Sequence, residues 1–300
     1  MSTIRPDVGV CSAVRAFAAI ISCSLATLVC AQGSAVPDSL LSGHMHRLAE
    51  ANADTTKRMA SAALKTDLLR ALNSPDAFSR DFSTVPLSRI DAPDGKFRLF
   101  TWNIPMEDGS HLFEGLLLVR NGKKVAVVEL HDQTATLGVP ERTALSADRW
   151  YGALYYAVIP VKSGGKVLYT LLGWKGYSKV EVRKVVEVLS FKGGTPRFGA
   201  EVFEVFDAKG KVERIRKSRL VFGFNFQVSM SLKWEEASAR IVYDHLSPSR
   251  QDLDGQWPFY GPDMSYDAYV WERNHWAYQR DIDARDTGRD GKPWNKPPRE

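Results

Sequence analysis

The chain has 300 residues, of which 44% are apolar and 25% are charged. This is the composition of an ordinary globular protein and excludes disorder for most of the chain. The formal net charge of +5 is small and its basic residues are dispersed, which argues against a nucleic-acid-binding protein.

The amino-terminal stretch, residues 1–31, has the build of a secretory signal peptide. Two arginines precede an uncharged run from Ala16 to Val29, and a small residue, Ala31, ends the stretch. We predict cleavage after Ala31 and a periplasmic or secreted mature protein. Two alternatives stay open: lipoprotein processing through Cys23, and a retained membrane anchor. The run is shorter than the roughly 20 residues that span a bilayer, so we expect no transmembrane span in the mature chain.

All three cysteines, Cys11, Cys23 and Cys30, lie inside the predicted leader. Cleavage after Ala31 therefore predicts a cysteine-free mature chain, without disulfides, thiol nucleophiles or cysteine metal ligands. Such an exported protein depends on a sizeable hydrophobic core, and its length is sufficient for one.

After the leader we predict a single mature domain at 32–280 and a flexible polar tail at 281–300. Apolar residues recur at helical spacing within 38–73, where Asn73-Ser74-Pro75 ends the pattern. This helical segment precedes a β-rich region at 85–280.

In the β-rich region, Asp-Gly, Asn-Gly and Gly-Gly pairs separate apolar runs, as hairpin loops do. The longest alternating run extends from Leu220 to Trp234 and predicts one strand with a bend near Gly223. The stretch Lys179–Leu189 fits a short helix as well as a strand. We predict a mainly β fold of mostly antiparallel sheets joined by hairpins, with an N-terminal helical segment. A β-propeller-like architecture is the alternative, although its PDGKF motif occurs only once.

Five sequence blocks carry a family resemblance. They are PDGKFRLFTWN (Pro93–Asn103), ADRWYGALYY (Ala147–Tyr156), LLGW (Leu171–Trp174), DHLSP (Asp244–Pro248) and YGPDMSYDAY (Tyr260–Tyr269). In this order they resemble a group of uncharacterised exported bacterial proteins, mainly from Bacteroidetes. The resemblance covers most of the mature chain and implies export, but it implies no activity and no catalytic or binding residue.

Residues able to do chemistry are densest between Ile241 and Trp271. Two carboxylates and an imidazole in one cleft suffice for general acid–base catalysis or for a hard metal ion. Neighbouring side chains of a strand point to opposite faces, so at most one residue of an adjacent Asp-His pair can face a shared site. The candidate catalytic residues are Asp244, His245, Asp263 and Asp267. The alternative is that the aspartates cap turns, because Asp beside Pro and Gly is typical of turns.

Aromatic residues lie in the same segments as these acids. Exposed aromatics beside carboxylates are typical of sugar-binding clefts, whereas buried ones belong to the core of a large sheet. The candidate binding residues are Tyr266, Trp257 and Tyr260.

The spacing of acidic residues and a histidine points to two candidate metal sites. Asp252 and Asp254 resemble half of a calcium-binding loop, in which Asp263 occupies the position of the final glutamate. Glu129 and His131 share one strand face but lack the second histidine that a zinc site would favour. We predict no cofactor, with calcium as the alternative.

The sequence contains no nucleophile elbow and no phosphate-binding loop. It favours a binding or scaffold protein of the cell envelope, with a glycan, a peptide or an envelope protein as its partner. The alternative is a carboxylate-dependent hydrolase that acts on envelope glycan or peptide.

Overall fold

The computed structural model of the protein describes residues 35–206, 211–213 and 215–283. The predicted signal peptide, its three cysteines and the tail from residue 284 onward lie outside these residues. Among the described helices, none is long and apolar enough to cross a membrane. The described chain is mainly β, with two helices before three antiparallel sheets, as predicted.

The predicted helical segment forms two helices, α1 (Asp38–Glu50) and α2 (Asp54–Leu72). Each begins with an aspartate, whose charge favours the positive end of the helix dipole. His44 Nε2 lies 2.8 Å from Asp67 Oδ2, so a polar contact joins the two helices in addition to their packing.

The first sheet is a meander of four strands in the order β1-β2-β3-β4. Its strands are β1 (Ser88–Asp91), β2 (Phe97–Pro105), β3 (His111–Asn121) and β4 (Lys124–His131).

The second sheet has the order β5-β6-β7-β8, and β9 also pairs with β7. Its strands are β5 (Leu154–Ser163), β6 (Lys166–Gly176), β7 (Glu181–Lys192), β8 (Thr195–Phe198) and β9 (Arg219–Asn225). The ambiguous stretch Lys179–Leu189 is thus mostly strand. Gly164 and Gly165 have φ angles of 54° and 78°, which the tight turn between β5 and β6 requires.

The third sheet has the order β10-β11-β12-β13. Its strands are β10 (Leu232–Glu235), β11 (Arg240–Pro248), β12 (Tyr260–Glu272) and β13 (His275–Gln279).

Successive side chains of a strand face opposite sides of its sheet, so a sheet can pack against a neighbour on each face. Three hydrophobic cores join the helices and the three sheets in this way. The helices share a core with one face of the first sheet, which includes Leu41, Leu64, Leu68, Phe100, Trp102 and Leu116. The opposite face meets the second sheet through residues such as Phe97, Leu99, Leu117, Tyr169, Leu171 and Leu189. The second and third sheets share Leu172, Val186, Leu220, Ile241, Tyr269 and Trp276.

This arrangement excludes the propeller alternative for the part of the chain that the structure describes, which forms neither a propeller nor a closed barrel. Consecutive sheets cover one another's apolar faces, whereas the blades of a propeller surround a central channel. The single occurrence of the PDGKF motif agrees with this result.

The prediction of one strand from Leu220 to Trp234 is wrong. The structure divides this run into β9, which ends at Asn225, and β10, which begins at Leu232. The Asn225 side chain accepts a hydrogen bond from the Gln227 main-chain N–H at 2.8 Å, and the Asn225 carbonyl accepts one from Val228 N–H at 3.2 Å. These bonds form a turn, so the alternating pattern continues across two strands.

A buried ion pair crosses the second sheet, where Arg219 Nε lies 2.6 Å from Glu187 Oε1 and both side chains are fully buried. Tyr155 donates its hydroxyl to Glu187, and Arg219 also donates to main-chain carbonyls, including that of Thr143 at 2.8 Å. Burial and the neighbouring Glu187 raise the pKa of Tyr155 well above its ordinary value, so the phenol remains a donor. This network is fully hydrogen-bonded, as a buried charge requires, and we assign it a structural role.

Candidate functional site

The chain is irregular where β11 and β12 pass each other. A β-bulge interrupts their pairing between Asp244 and Leu246, where His245 of β11 and the three residues 263–265 of β12 are unpaired. On β12, Met264 has a left-handed φ of 72° and a side chain that is 93% exposed. Bulges redirect side chains, and left-handed residues other than glycine carry strain that is found most often at functional sites. Here the irregularities place His245 beside Asp263.

Asp267 orients the His245 ring through a contact with Nδ1. Its Oδ2 lies 2.7 Å from His245 Nδ1, and its side chain is only 3% exposed. The Tyr278 hydroxyl donates to the same oxygen at 2.8 Å, and the Asp281 main-chain N–H donates to Oδ1 at 3.0 Å. The buried carboxylate is therefore held by three hydrogen bonds, as burial demands.

The hydrogen-bond network assigns the tautomer of His245. Burial, together with the bond to Asp267, raises the pKa of Tyr278, so the phenol stays protonated and donates. Asp267 is then an acceptor toward both partners, and His245 must carry a proton on Nδ1. In the neutral imidazole, Nε2 is consequently the acceptor.

His245 Nε2 faces a second carboxylate. It lies 3.9 Å from Asp263 Oδ2, and both side chains are about one-third exposed. Asp263 accepts hydrogen bonds from the Ser247 hydroxyl at 2.6 Å and from the Ser265 hydroxyl at 2.7 Å. Burial acts to raise the pKa of Asp263, but these bonds outweigh it and the pKa is lowered. Asp263 is therefore ionised and acts as an acceptor at neutral pH.

We call the group of His245, Ser247, Asp263, Asp267 and Tyr278 the His245 site. It combines a buried carboxylate that orients an imidazole with a second, partly exposed carboxylate on the other side of that ring. Within the described residues, three of the four candidate catalytic residues meet here.

Asp244, the fourth candidate, makes its contacts elsewhere. Its Oδ2 accepts the Ser231 main-chain N–H at 2.7 Å, and its own N–H donates to the Ser231 carbonyl at 3.1 Å. These two hydrogen bonds extend the pairing of β10 with β11, so we assign Asp244 a structural role. Tyr266 lies opposite Asp244 in the β11–β12 ladder, and its carbonyl accepts the Ile282 N–H at 2.8 Å.

Trp257 and Tyr260 lie at the other end of the β11–β12 ladder, where Tyr260 pairs with Pro248. Their ring centroids are 4.8 Å apart. Tyr260 is buried and donates its hydroxyl to Asp254, whereas Trp257 remains 41% exposed. Of the three predicted binding residues, Trp257 is therefore the most exposed.

The acids considered for metal sites have other partners. Asp252 pairs with Arg250 at 3.0 Å, and Asp254 accepts from Tyr260. Glu129 lies 3.4 Å from the ammonium group of Lys65. Within residues 35–206, 211–213 and 215–283, no group of three or more His, Cys, Asp or Glu side chains is arranged to hold a metal ion.

Ser247 and Tyr278 were not predicted as site residues. Ser247 follows His245 within the DHLSP block, so its position two residues along the strand was an available signal. Tyr278 reaches Asp267 only because β13 pairs with β12 in a particular register, with Tyr278 opposite Tyr269. No local pattern in the sequence contains that information.

The fold and the site define a mainly β protein of three layered antiparallel sheets, which carries a histidine between two aspartates at an irregular strand pair. No protein-family model matches the chain, and neither the curated proteins nor the solved structures contain a match to it.

Proposed function

We propose that this chain is an exported binding protein of the cell envelope and that it binds a hydroxyl-rich ligand of the glycan class at the His245 site. The observation that carries the proposal is the 3.9 Å distance between His245 Nε2, which is an acceptor in the neutral imidazole, and the acceptor Asp263 Oδ2. Two acceptors that face each other are satisfied by donors from a third molecule.

Neighbouring hydroxyl groups of a sugar fit this demand. Each hydroxyl donates one hydrogen bond of about 2.8 Å, one to the imidazole and one to the carboxylate. Bonds to the charged Asp263 are stronger than neutral ones, so this carboxylate contributes most of the polar affinity. The Asp267 carboxylate keeps Nε2 available as an acceptor by holding the proton on Nδ1.

Exposed aromatic rings support a sugar as the ligand. Trp257 and Phe259 precede β12, on which Asp263 lies, and both expose much of their side chains. Aromatic faces pack against the apolar faces of sugar rings, while the polar residues determine the orientation of the ligand. An oligosaccharide that extends along the β11–β12 ladder would contact both the His245 site and these aromatic rings.

The envelope location in this proposal is supported by the leader at 1–31 and by the resemblance to exported proteins. Envelope glycans are accessible to a protein only after export.

A second candidate function is hydrolysis of such a ligand. The specific observation in its favour is the buried Asp267 at 2.7 Å from His245 Nδ1, which is how enzymes orient a histidine general base. A water molecule bound by Nε2 and Asp263 would attack the anomeric carbon while Nε2 accepts its proton, the glycosidic C–O bond would break, and the proton would pass from Nε2 to the departing oxygen. The Ser247 hydroxyl donates to Asp263 at 2.6 Å, so it supports the carboxylate in this arrangement.

Isothermal titration calorimetry with soluble glucan, mannan and N-acetylglucosamine oligosaccharides tests the binding proposal. At least one oligosaccharide is expected to bind the mature protein, and His245→Gln and Asp263→Asn are expected to weaken that binding at least tenfold, about 1.4 kcal/mol. His46→Gln is the matched control because His46 is exposed on α1. Equal loss of binding in His46→Gln and His245→Gln, or no binding of any oligosaccharide, would reject the proposal.

The same oligosaccharides separate binding from hydrolysis. After incubation with the protein, new reducing ends are quantified. Their release by the wild type and not by His245→Gln establishes the hydrolase, whereas binding without release establishes the binding protein.

A further inference from the structure

Four hairpin ends of the first two sheets lie at one end of the molecule. In the first sheet, the turns before β2 and before β4 share an end, because neighbouring strands are antiparallel. In the second sheet, the turns before β6 and before β8 share an end for the same reason. The two ends coincide, since Phe97 packs on Tyr169 with ring centroids 5.0 Å apart and the Tyr169 hydroxyl donates to Asp94 at 2.6 Å.

This end of the molecule is strongly basic. Its charged residues are far apart in the sequence, and only the pairing of the strands brings them together. The Arg120 N–H, for example, donates to the Lys96 carbonyl at 2.9 Å. All but Lys96, which is partly exposed, are exposed. We call this group the basic end, and its seven members are Lys96, Arg120, Lys123, Lys124, Lys162, Lys166 and Lys192.

The acids in these turns do not balance the positive charge. Asp91 already has a cationic partner, because its Oδ1 lies 2.9 Å from Arg98 Nε. Asp94 remains, and it accepts the hydroxyl of Tyr169. Within the described part of these two sheets, seven cations at the basic end therefore face one carboxylate that has no arginine or lysine partner. The formal net charge of the whole chain is only +5, so its positive excess is concentrated at this end.

The third sheet limits the basic end on one side. Trp271 Nε1 donates to the Lys162 carbonyl at 3.1 Å, so hairpins of the third sheet lie next to it. The positive surface therefore belongs to the first two sheets, which form two layers about 10 Å apart. The neighbouring hairpins of the third sheet carry mixed charges, namely Glu235, Glu236 and Glu272 with Arg240 and Arg273.

We propose that the basic end binds the surface of a membrane that contains anionic lipids. Its charges extend over two layers and over two hairpins in each layer, so they match a plane of lipid headgroups. Each Lys or Arg near an anionic bilayer strengthens binding roughly fivefold. Val125 and Val167, which are 51% and 38% exposed, each follow a lysine of the basic end. Apolar side chains among cations suit the boundary between headgroups and acyl chains.

Single-stranded nucleic acid is the competing polyanion. Proteins bind it through a charged groove with aromatic faces on which the bases stack. At the basic end, the Arg120 guanidinium lies 4.2 Å from the centroid of the Phe78 ring, and the Lys96 ammonium lies 5.3 Å from that of Phe191. A cation thus already covers a face of each of these rings. The arrangement favours lipid headgroups over nucleic-acid bases.

Co-sedimentation with vesicles tests the proposal. The mature protein is mixed with vesicles of phosphatidylcholine and phosphatidylglycerol, or with vesicles of phosphatidylcholine alone. At about 0.1 M salt, where charges interact over about 10 Å, we expect binding to the anionic vesicles only, and release at about 1 M salt. The combined variant Lys123→Gln, Lys166→Gln and Lys192→Gln should bind about a hundredfold more weakly, because it loses three of the charges.

The matched control combines Arg58→Gln, Arg149→Gln and Lys179→Gln, which removes the same charge from exposed residues outside the basic end. It should bind the anionic vesicles as the wild type does, and circular dichroism checks that both triple variants are folded. The proposal is overturned if the wild type does not bind anionic vesicles, if it binds both kinds of vesicle alike, or if the two triple variants are weakened equally. Tighter binding of single-stranded DNA than of anionic vesicles would assign the basic end to nucleic acid instead.

Discussion

Replacement of Asp267 by asparagine tests whether the buried carboxylate orients His245. Asp267 accepts hydrogen bonds from His245 Nδ1, from the Tyr278 hydroxyl and from the Asp281 N–H. Asparagine has the same shape, but one of its oxygens is replaced by an NH₂ group. If this group faces the Asp281 N–H, that hydrogen bond is lost; if it faces His245 and Tyr278, their bonds survive only when the imidazole proton moves to Nε2 and the phenol turns to accept.

The expected cost follows from burial. A buried donor that loses its partner costs about 1–3 kcal/mol, and the remaining bonds lose the assistance of a charged acceptor. We therefore expect Asp267→Asn to lower the free energy of unfolding by about 2 kcal/mol. Asp244→Asn is the matched control, because its remaining oxygen still accepts the single N–H of Ser231, and we expect a change of less than about 0.5 kcal/mol.

Urea unfolding followed by circular dichroism measures both variants. The slope of the free energy against urea should remain that of the wild type, so that the midpoints report stability alone. If Asp267→Asn changes stability by no more than Asp244→Asn does, Asp267 is not the buried orienting carboxylate described here. The protonation of His245 would then have to be reassigned.

Three further predictions concern other parts of the chain. Burial lowers the pKa of Lys175 to about 8; between pH 8 and 10 the unfolded chain therefore binds more protons at this lysine, which adds about 2 kcal/mol of stability over that range. Tyrosines whose pKa is raised by burial act in the opposite direction near pH 10, so the measure is the difference in unfolding free energy between the wild type and Lys175→Met, which should shift by about 2 kcal/mol in favour of the wild type from pH 8 to 10. A Cβ on Gly223 would lie 2.8 Å from the Trp257 side chain, so Gly223→Ala should cost about 1–3 kcal/mol by overpacking and alter tryptophan fluorescence. Gly138→Ala, with open space at its Cβ, should do neither. Intact mass of protein from the envelope or medium fraction should begin at Gln32, and a retained leader would contradict the predicted cleavage.

Local patterns predicted most of the secondary structure. The apolar spacing of α1 and α2 and the Gly-rich hairpin loops depend on near neighbours in the chain, and the structure confirms both. The same reasoning was wrong between Leu220 and Trp234, because one Asn225 side chain turns the backbone without interrupting the alternation of apolar residues. The spacing of apolar residues in the sequence carries no information about such a hydrogen bond.

The candidate site depends on contacts between segments and was only partly predictable. Composition pointed to His245, Asp263 and Asp267, but their meeting requires the bulge by which three residues of β12 face the single residue His245 of β11. Asp244, adjacent in sequence, has the same chemistry and is excluded by geometry alone. Charged residues are expected at the surface, so the fully buried Glu187–Arg219 pair could not be inferred from the alternation of its strands.

The order in which the three sheets pack on one another determines how the chain unfolds. Each sheet consists mainly of strands that follow one another in sequence, so each can begin to form from local hairpins. The second sheet, however, buries both faces only when its neighbours are in place, and this couples the unfolding of all three. The helices share a core with the first sheet alone. In native-state hydrogen exchange, the helix pair should therefore behave as the least stable cooperative unit, and the central strands of the second sheet should open only with the whole domain.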